Sequence, residues 1–148
     1  LKTVEFHREV RLPQLLKKAD HYFERLTSEQ YLRIYLPEQG QTFIVERKDG
    51  MRFFAEELSQ ATAEQLYVSI RFALSQTLTH SENKLPIIID DSFVNFDQTR
   101  TKLILALLRE MSADQQIIFF TCHKHYLSSF SSDSVIFLDS RNIVKQTT

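Results

Sequence analysis

Leu85-Pro86-Ile87-Ile88-Ile89-Asp90-Asp91 is the stretch on which the fold turns. A continuous apolar run predicts a strand over residues 85–89, buried on both faces as in a parallel sheet covered by helices. Ligands of such sheets gather at the carboxyl ends of strands, where Asp90 and Asp91 stand. Adjacent aspartates repel unless a cation lies between them, so the pair points to Mg2+. A strand that simply ends in solvated acids is the alternative, and this segment alone does not decide between them.

Downstream, Asp97 can cap a helix running to Met111, with Leu103, Ile104, Leu107, Leu108 and Met111 facing inward. Residues 117–120 read as a second fully buried strand. If the two strands pair, His123 lies beside the aspartates, where an imidazole can donate to developing phosphate charge. Read alone it is a surface histidine. His123 and His125 lack a third metal ligand at a fitting spacing. Cys122 reads as a small buried residue, since only its neighbour is basic. After a polar loop over 128–134, residues 135–138 and 143–145 read as a closing hairpin around 140–142.

Upstream, Ala63, Leu66, Tyr67, Ile70, Ala73, Leu74 and Thr77 mark one face of a helix over 62–78. Ser59 and Thr62 stand at its start. Either can serve as an ordinary N-cap, or the free amides there can hold an anion. Residues 31–36, 42–47 and 51–55 read as three strands, with turns at 37–41 and 48–50, hence an antiparallel meander. Leu12, Leu15, Leu16, Ala19, Tyr22, Phe23 and Leu26 recur at helical spacing over 13–26, with Lys17, Lys18, Asp20 and Glu24 opposite. The expected fold class is α/β, with a β annex and an N-terminal helix.

The 148 residues suit one domain or a large piece of one, and 43% hydrophobic content is ample for a core. A net charge of −1 gives no global pull toward nucleic acid or anionic lipid. Lys17/Lys18, Arg47/Lys48 and Arg100/Lys102 are scattered basic pairs that solvated faces explain. The longest apolar runs are far below the ~20 residues of a membrane span, so no membrane is expected, and no signal peptide is visible. A single cysteine excludes an internal disulfide and fits a reducing cytoplasm. The chain begins at Leu1, which reads as part of something longer.

Four signals in fixed order make a stronger one. Leu58-Ser59 with Gln65 before a helix resembles the ABC signature motif. Residues 87–91 look like a Walker B strand, Phe96-Asp97 like the D-loop, and His123 like the switch histidine. Ala63-Glu64-Gln65-Leu66-Tyr67, Asp90-Asp91-Ser92-Phe93-Val94-Asn95-Phe96-Asp97 and Phe120-Thr121-Cys122-His123 resemble the C-terminal lobe of ABC-type ATPase heads in the SMC, RecF and SbcC class. The wording is nearest to YhaN-type bacterial SMC-like ATPases, over roughly residues 53–138.

The resemblance implies a P-loop NTPase lobe at 29–148 and, at 1–28, the end of a coiled coil entering the head. It implies Mg2+ held through water by Asp90, and Asp91 at the place of the catalytic base. It implies His123 on the γ-phosphate and Asp97 coupling two heads. Ser59, Ala61 and Gln65 would belong to the signature that reaches ATP on the opposite protomer. The implied partners are the Walker A lobe of the same polypeptide, a second head in an ATP-dependent homodimer, and DNA, in repair or chromosome maintenance. Two departures stand out: Ala61 occupies the signature glycine position, and Asp91 is one methylene shorter than the usual glutamate. With Gly40 and Gly50 as its only glycines, the chain contains no Walker A loop, so it is expected to be half of an ATPase, inactive alone. A non-catalytic module of ABC shape is the second reading. A Mg2+-dependent phosphohydrolase or nuclease is the third.

Overall fold

The computed structural model describes residues 12–37, 42–78 and 85–138, and the backbone of 143–144. In chain order the elements are α1 (Leu12–Leu26), β1 (Tyr31–Tyr35), β2 (Ile44–Arg47), β3 (Arg52–Phe54), α2 (Gln60–Leu78), β4 (Ile87–Asp90), α3 (Gln98–Met111), β5 (Ile117–Phe120), β6 (Phe137–Leu138) and β7 (Ile143–Val144). Short 3-10 turns occupy Ala55–Glu57, Lys124–Ser129 and Ser132–Ser134. The strands β1, β2 and β3 form the expected antiparallel meander; β4 pairs in parallel with β5, and β6 with β7 antiparallel. Gly50 turns β2 into β3 at a φ of 83°, which a residue with a Cβ rarely adopts. The expected turns at 37–41 and 140–142 lie largely outside the described residues.

The stripe of α1 buries Ala19, Tyr22, Phe23 and Leu26, and the helix packs on α2 and β1. Half-buried Asp20 accepts the Ile34 N–H at 2.7 Å, fastening β1 to the helix. Arg25 grips Glu110 of α3 through two hydrogen bonds of 2.6 and 2.8 Å.

Three expectations of burial fail. On α2 the inward residues are Thr62, Gln65, Leu66, Ser69, Phe72 and Ala73, while Tyr67 and Leu74 are exposed. The buried stripe is turned about one residue from the apolar one. It tolerates polar groups because the Ser69 hydroxyl donates to the Gln65 carbonyl at 2.7 Å. In β4, Ile89 is buried but Ile88 is 65% exposed, and Phe120 of β5 is also exposed. Among the described residues, the face of this parallel sheet that carries Ile88 and Phe120 therefore lacks a cover. Cys122 is exposed too, because it lies past the end of β5 rather than within it.

Candidate functional site

The parallel register sets Asp90 opposite Phe120, so Asp91 falls level with Thr121. The Asp91 N–H donates to the Phe120 carbonyl at 2.9 Å, after which the chain turns away with Asp91 at a φ of 43°. Aspartate tolerates this left-handed conformation better than most residues. Its carboxylate is aimed back across β5. Oδ1 accepts from the Thr121 hydroxyl at 3.0 Å; Oδ2 lies 3.5 Å from Cys122 Sγ and 3.5 Å from His123 Nε2. Asp91 and His123 are each roughly one-third exposed, so water reaches both.

The support for this cluster comes from behind. Phe119 packs against Phe93, Tyr126 and Phe130, with ring centroids 5.3 to 6.2 Å apart. Tyr126 is 2% exposed and donates to the Phe93 carbonyl at 3.2 Å. Burial, with the Asp91 charge adding to it, raises the Tyr126 pKa, so the phenol remains a donor. The His123 amide donates to Thr121 Oγ1 at 3.1 Å, and its ring packs on His125 and Tyr126. A cleft of about 680 Å³ opens alongside, bordered by Thr121, Cys122, His123, Tyr126 and Phe130.

Asp90 is exposed, and among the described residues no hydrogen bond or ion pair engages its carboxylate. An oxygen ligand free at a strand terminus fits a hard divalent cation such as Mg2+.

A second group sits at the start of α2. The Ser59 hydroxyl accepts the Thr62 N–H at 3.3 Å and lies 2.8 Å from Thr62 Oγ1, so it caps the helix while remaining exposed. Ala61 is half-buried in the first turn. Gln65 points inward at 1% exposure: its amide nitrogen donates to the Leu26 carbonyl, and its oxygen accepts from Arg100 Nε at 3.3 Å. Arg100 also bonds Asp97, the N-cap of α3, which accepts the Arg100 N–H at 2.9 Å. That N–H, then the guanidinium charge, holds the Asp97 carboxyl below the usual aspartate range. Asn95 donates to Glu64 at 2.7 Å. The loop after β4 is thereby fixed to the start of α2.

Asp91 and His123 thus stand side by side as expected, with Asp90 the residue before Asp91. Ser59 and Ala61 lie on a separate helix start, and Asp97 sits between the two groups. Thr121 joins the expected site, and so does Cys122, whose sequence reads as a small buried residue. Their signal was the strand register, which aligns residues 90 and 120 once parallel pairing is assumed.

No protein-family model matches the chain. It is 46% identical over 138 residues to the uncharacterized protein YhaN of Bacillus subtilis (strain 168), covering 93% of the chain and 14% of that protein's length. A structure from a study of ATP-driven dimerization and DNA-stimulated activation of SMC ATPases superposes with a TM-score of 0.78 at 16% identity, covering 99% of this chain and 90% of that one. The fold is that of an SMC ATPase head. The Smc head of Pyrococcus furiosus, with an extended coiled coil and bound to the C-terminal domain of ScpA, matches with a TM-score of 0.66 at 15% identity. That match covers 89% of this chain and 35% of the other. The chain spans about one-seventh of the length of the YhaN relative that it matches. Among its described helices, none is long and apolar enough to cross a membrane.

Proposed function

We propose that the chain supplies the hydrolytic half of a cytoplasmic SMC-like ATPase head that works in DNA repair or chromosome maintenance. The observation that carries this reading is Asp91: a carboxylate held at the mouth of a parallel strand pair, within 3.5 Å of His123 and open to water. Asp91 would accept the proton of the attacking water, while His123 Nε2 would donate to the γ-phosphate oxygens as charge builds there. Asp90 would hold Mg2+ through water, and the ion would supply charge neutralisation of the phosphates. Asp97 and the exposed Ser59 would face a second head. Gln65 would position rather than bind, joining α2 to Arg100 and hence to Asp97.

The phosphate cradle must come from elsewhere in the parent polypeptide, since this chain has no glycine-rich loop. The two-stranded sheet with Ile88 uncovered is consistent with a Walker A lobe packing there. Turnover of the parent polypeptide should fall by roughly 100-fold or more in Asp91→Asn, and be lost in Ser59→Arg, measured with and without DNA. A parent with an intact phosphate loop and no turnover would favour the non-catalytic module, the reading that the Cβ of Ala61 supports.

A further inference from the structure

We propose that Asp91, Cys122 and His123 form a binding site for a thiophilic divalent cation, Zn2+ foremost. Ligand atoms of the three residues all lie within 4.8 Å of one another, one from each side chain. Two of the separations are 3.5 Å, from Asp91 Oδ2 to Cys122 Sγ and to His123 Nε2. In a tetrahedral zinc site, bonds of ~2.3 Å to sulfur and ~2.0–2.1 Å to nitrogen or oxygen put neighbouring donors about 3.3–3.6 Å apart. Two edges of one face of such a tetrahedron are therefore in place. The third, between Cys122 and His123, lies within 4.8 Å and closes as the exposed Cys122 side chain turns in. The partly exposed side chains leave the fourth corner to water.

The donor set selects the ion. Thiolate, imidazole and a single carboxylate oxygen suit zinc, whereas Mg2+ demands an octahedron of oxygens. Outer-shell contacts are already in place: Thr121 holds Oδ1 of Asp91 and leaves Oδ2 to the ion, and the His125 and Tyr126 rings fix the imidazole. Binding forms a Zn–S bond and releases the Cys122 thiol proton to solvent. The histidine pair 123/125 is not the ligand set; the partner for His123 comes from 32 residues upstream, across the strand pair. On the functional reading given above, an ion on Asp91 Oδ2 occupies the oxygen that must accept the proton of water. Zinc then acts as an inhibitor of turnover.

The test is a titration of Co2+ into the metal-free 148-residue chain, followed by Zn2+ displacement. One Co2+ per chain should bind, with a thiolate-to-cobalt charge-transfer band in the near ultraviolet and tetrahedral d–d bands. Cys122→Ser should abolish the first band. Asp91→Asn and His123→Ala should each weaken binding at least about tenfold, and His125→Ala, which removes only a ring packed on the imidazole, should keep the thiolate-to-cobalt band. Circular dichroism of each variant reports folding, and Asp91→Asn serves if Cys122→Ser unfolds. A spectrum without thiolate character at saturating Co2+, or one indifferent to both Asp91→Asn and His123→Ala, would overturn the site. No nucleotide is involved, so failure here leaves the ATPase reading standing, and loss of that reading leaves the site.

Discussion

At the scale of single residues, two buried polar contacts govern how the head holds together. Gln65 offers one amide to two elements at once, the Leu26 carbonyl at the end of α1 and Arg100 at the start of α3. Gln65→Leu keeps the volume but strands the buried Leu26 carbonyl and leaves Arg100 with Asp97 alone, so a loss of about 1–3 kcal/mol is expected in urea unfolding. A loss below about 0.5 kcal/mol would mean that water substitutes for the amide. Asp20 works in the opposite sense. Burial raises its pKa above the ordinary 3.8, against the lowering effects of the Ile34 N–H and Arg33. An acid whose folded pKa is raised binds more protons when folded. Its contribution is therefore greatest below the ordinary value and declines as pH climbs through the raised one. Asp20→Asn keeps an oxygen for Ile34 and removes that slope. The variant should gain on the wild type as pH rises above the ordinary value of 3.8; a difference that stays flat as pH rises would refute the account.

At the scale of elements, what was legible followed from how far a local signal reports on tertiary surroundings. The order of helices and strands, the cap at Asp97 and the inward face of α3 are properties of local sequence, and they came through. The face of α2 came through only in part: Leu66 and Ala73 are buried as expected, Tyr67 and Leu74 are not. Its apolar residues lie on one side, but the helix buries the adjacent side, where Thr62, Gln65 and Ser69 are satisfied by hydrogen bonds to their neighbours. Hydrophobic spacing sees only the apolar stripe, not a partner surface able to accept hydroxyls and amides. The consequence is measurable. Phe72, 4% exposed and edge-on to Tyr22 at 6.2 Å, should lose about 3–5 kcal/mol as Phe72→Ala. Leu74, 39% exposed, should change stability by no more than about 0.5 kcal/mol as Leu74→Ala. The reverse ranking would put the apolar stripe back in the core. The site divided the same way: His123 beside Asp91 was foreseeable from strand pairing, whereas the exposure of Cys122 depended on where β5 stops.

At the scale of the whole molecule, the exposed face of the β4–β5 sheet is where the proposed function seats a Walker A lobe. On that face Ile88 and Phe120 stand in solvent at 65% and 43% exposure, more than a finished parallel sheet permits. Alone, the chain should therefore be indifferent to a charge at Ile88. Ile88→Lys adds an ammonium where solvent already reaches, and unfolding of the chain should shift by no more than about 0.5 kcal/mol. In the parent polypeptide the same ammonium would be pressed beneath the Walker A lobe without a counter-ion. An uncompensated buried charge costs about 3–5 kcal/mol, enough to part the two lobes and abolish ATP turnover while Asp91 and His123 remain intact. Denaturation of the isolated variant and hydrolysis by the parent variant, measured together, form the decisive pair. If the parent carries Ile88→Lys with its turnover unchanged, β4 is not the seam at which the head is completed, and the Walker A lobe must join through another surface.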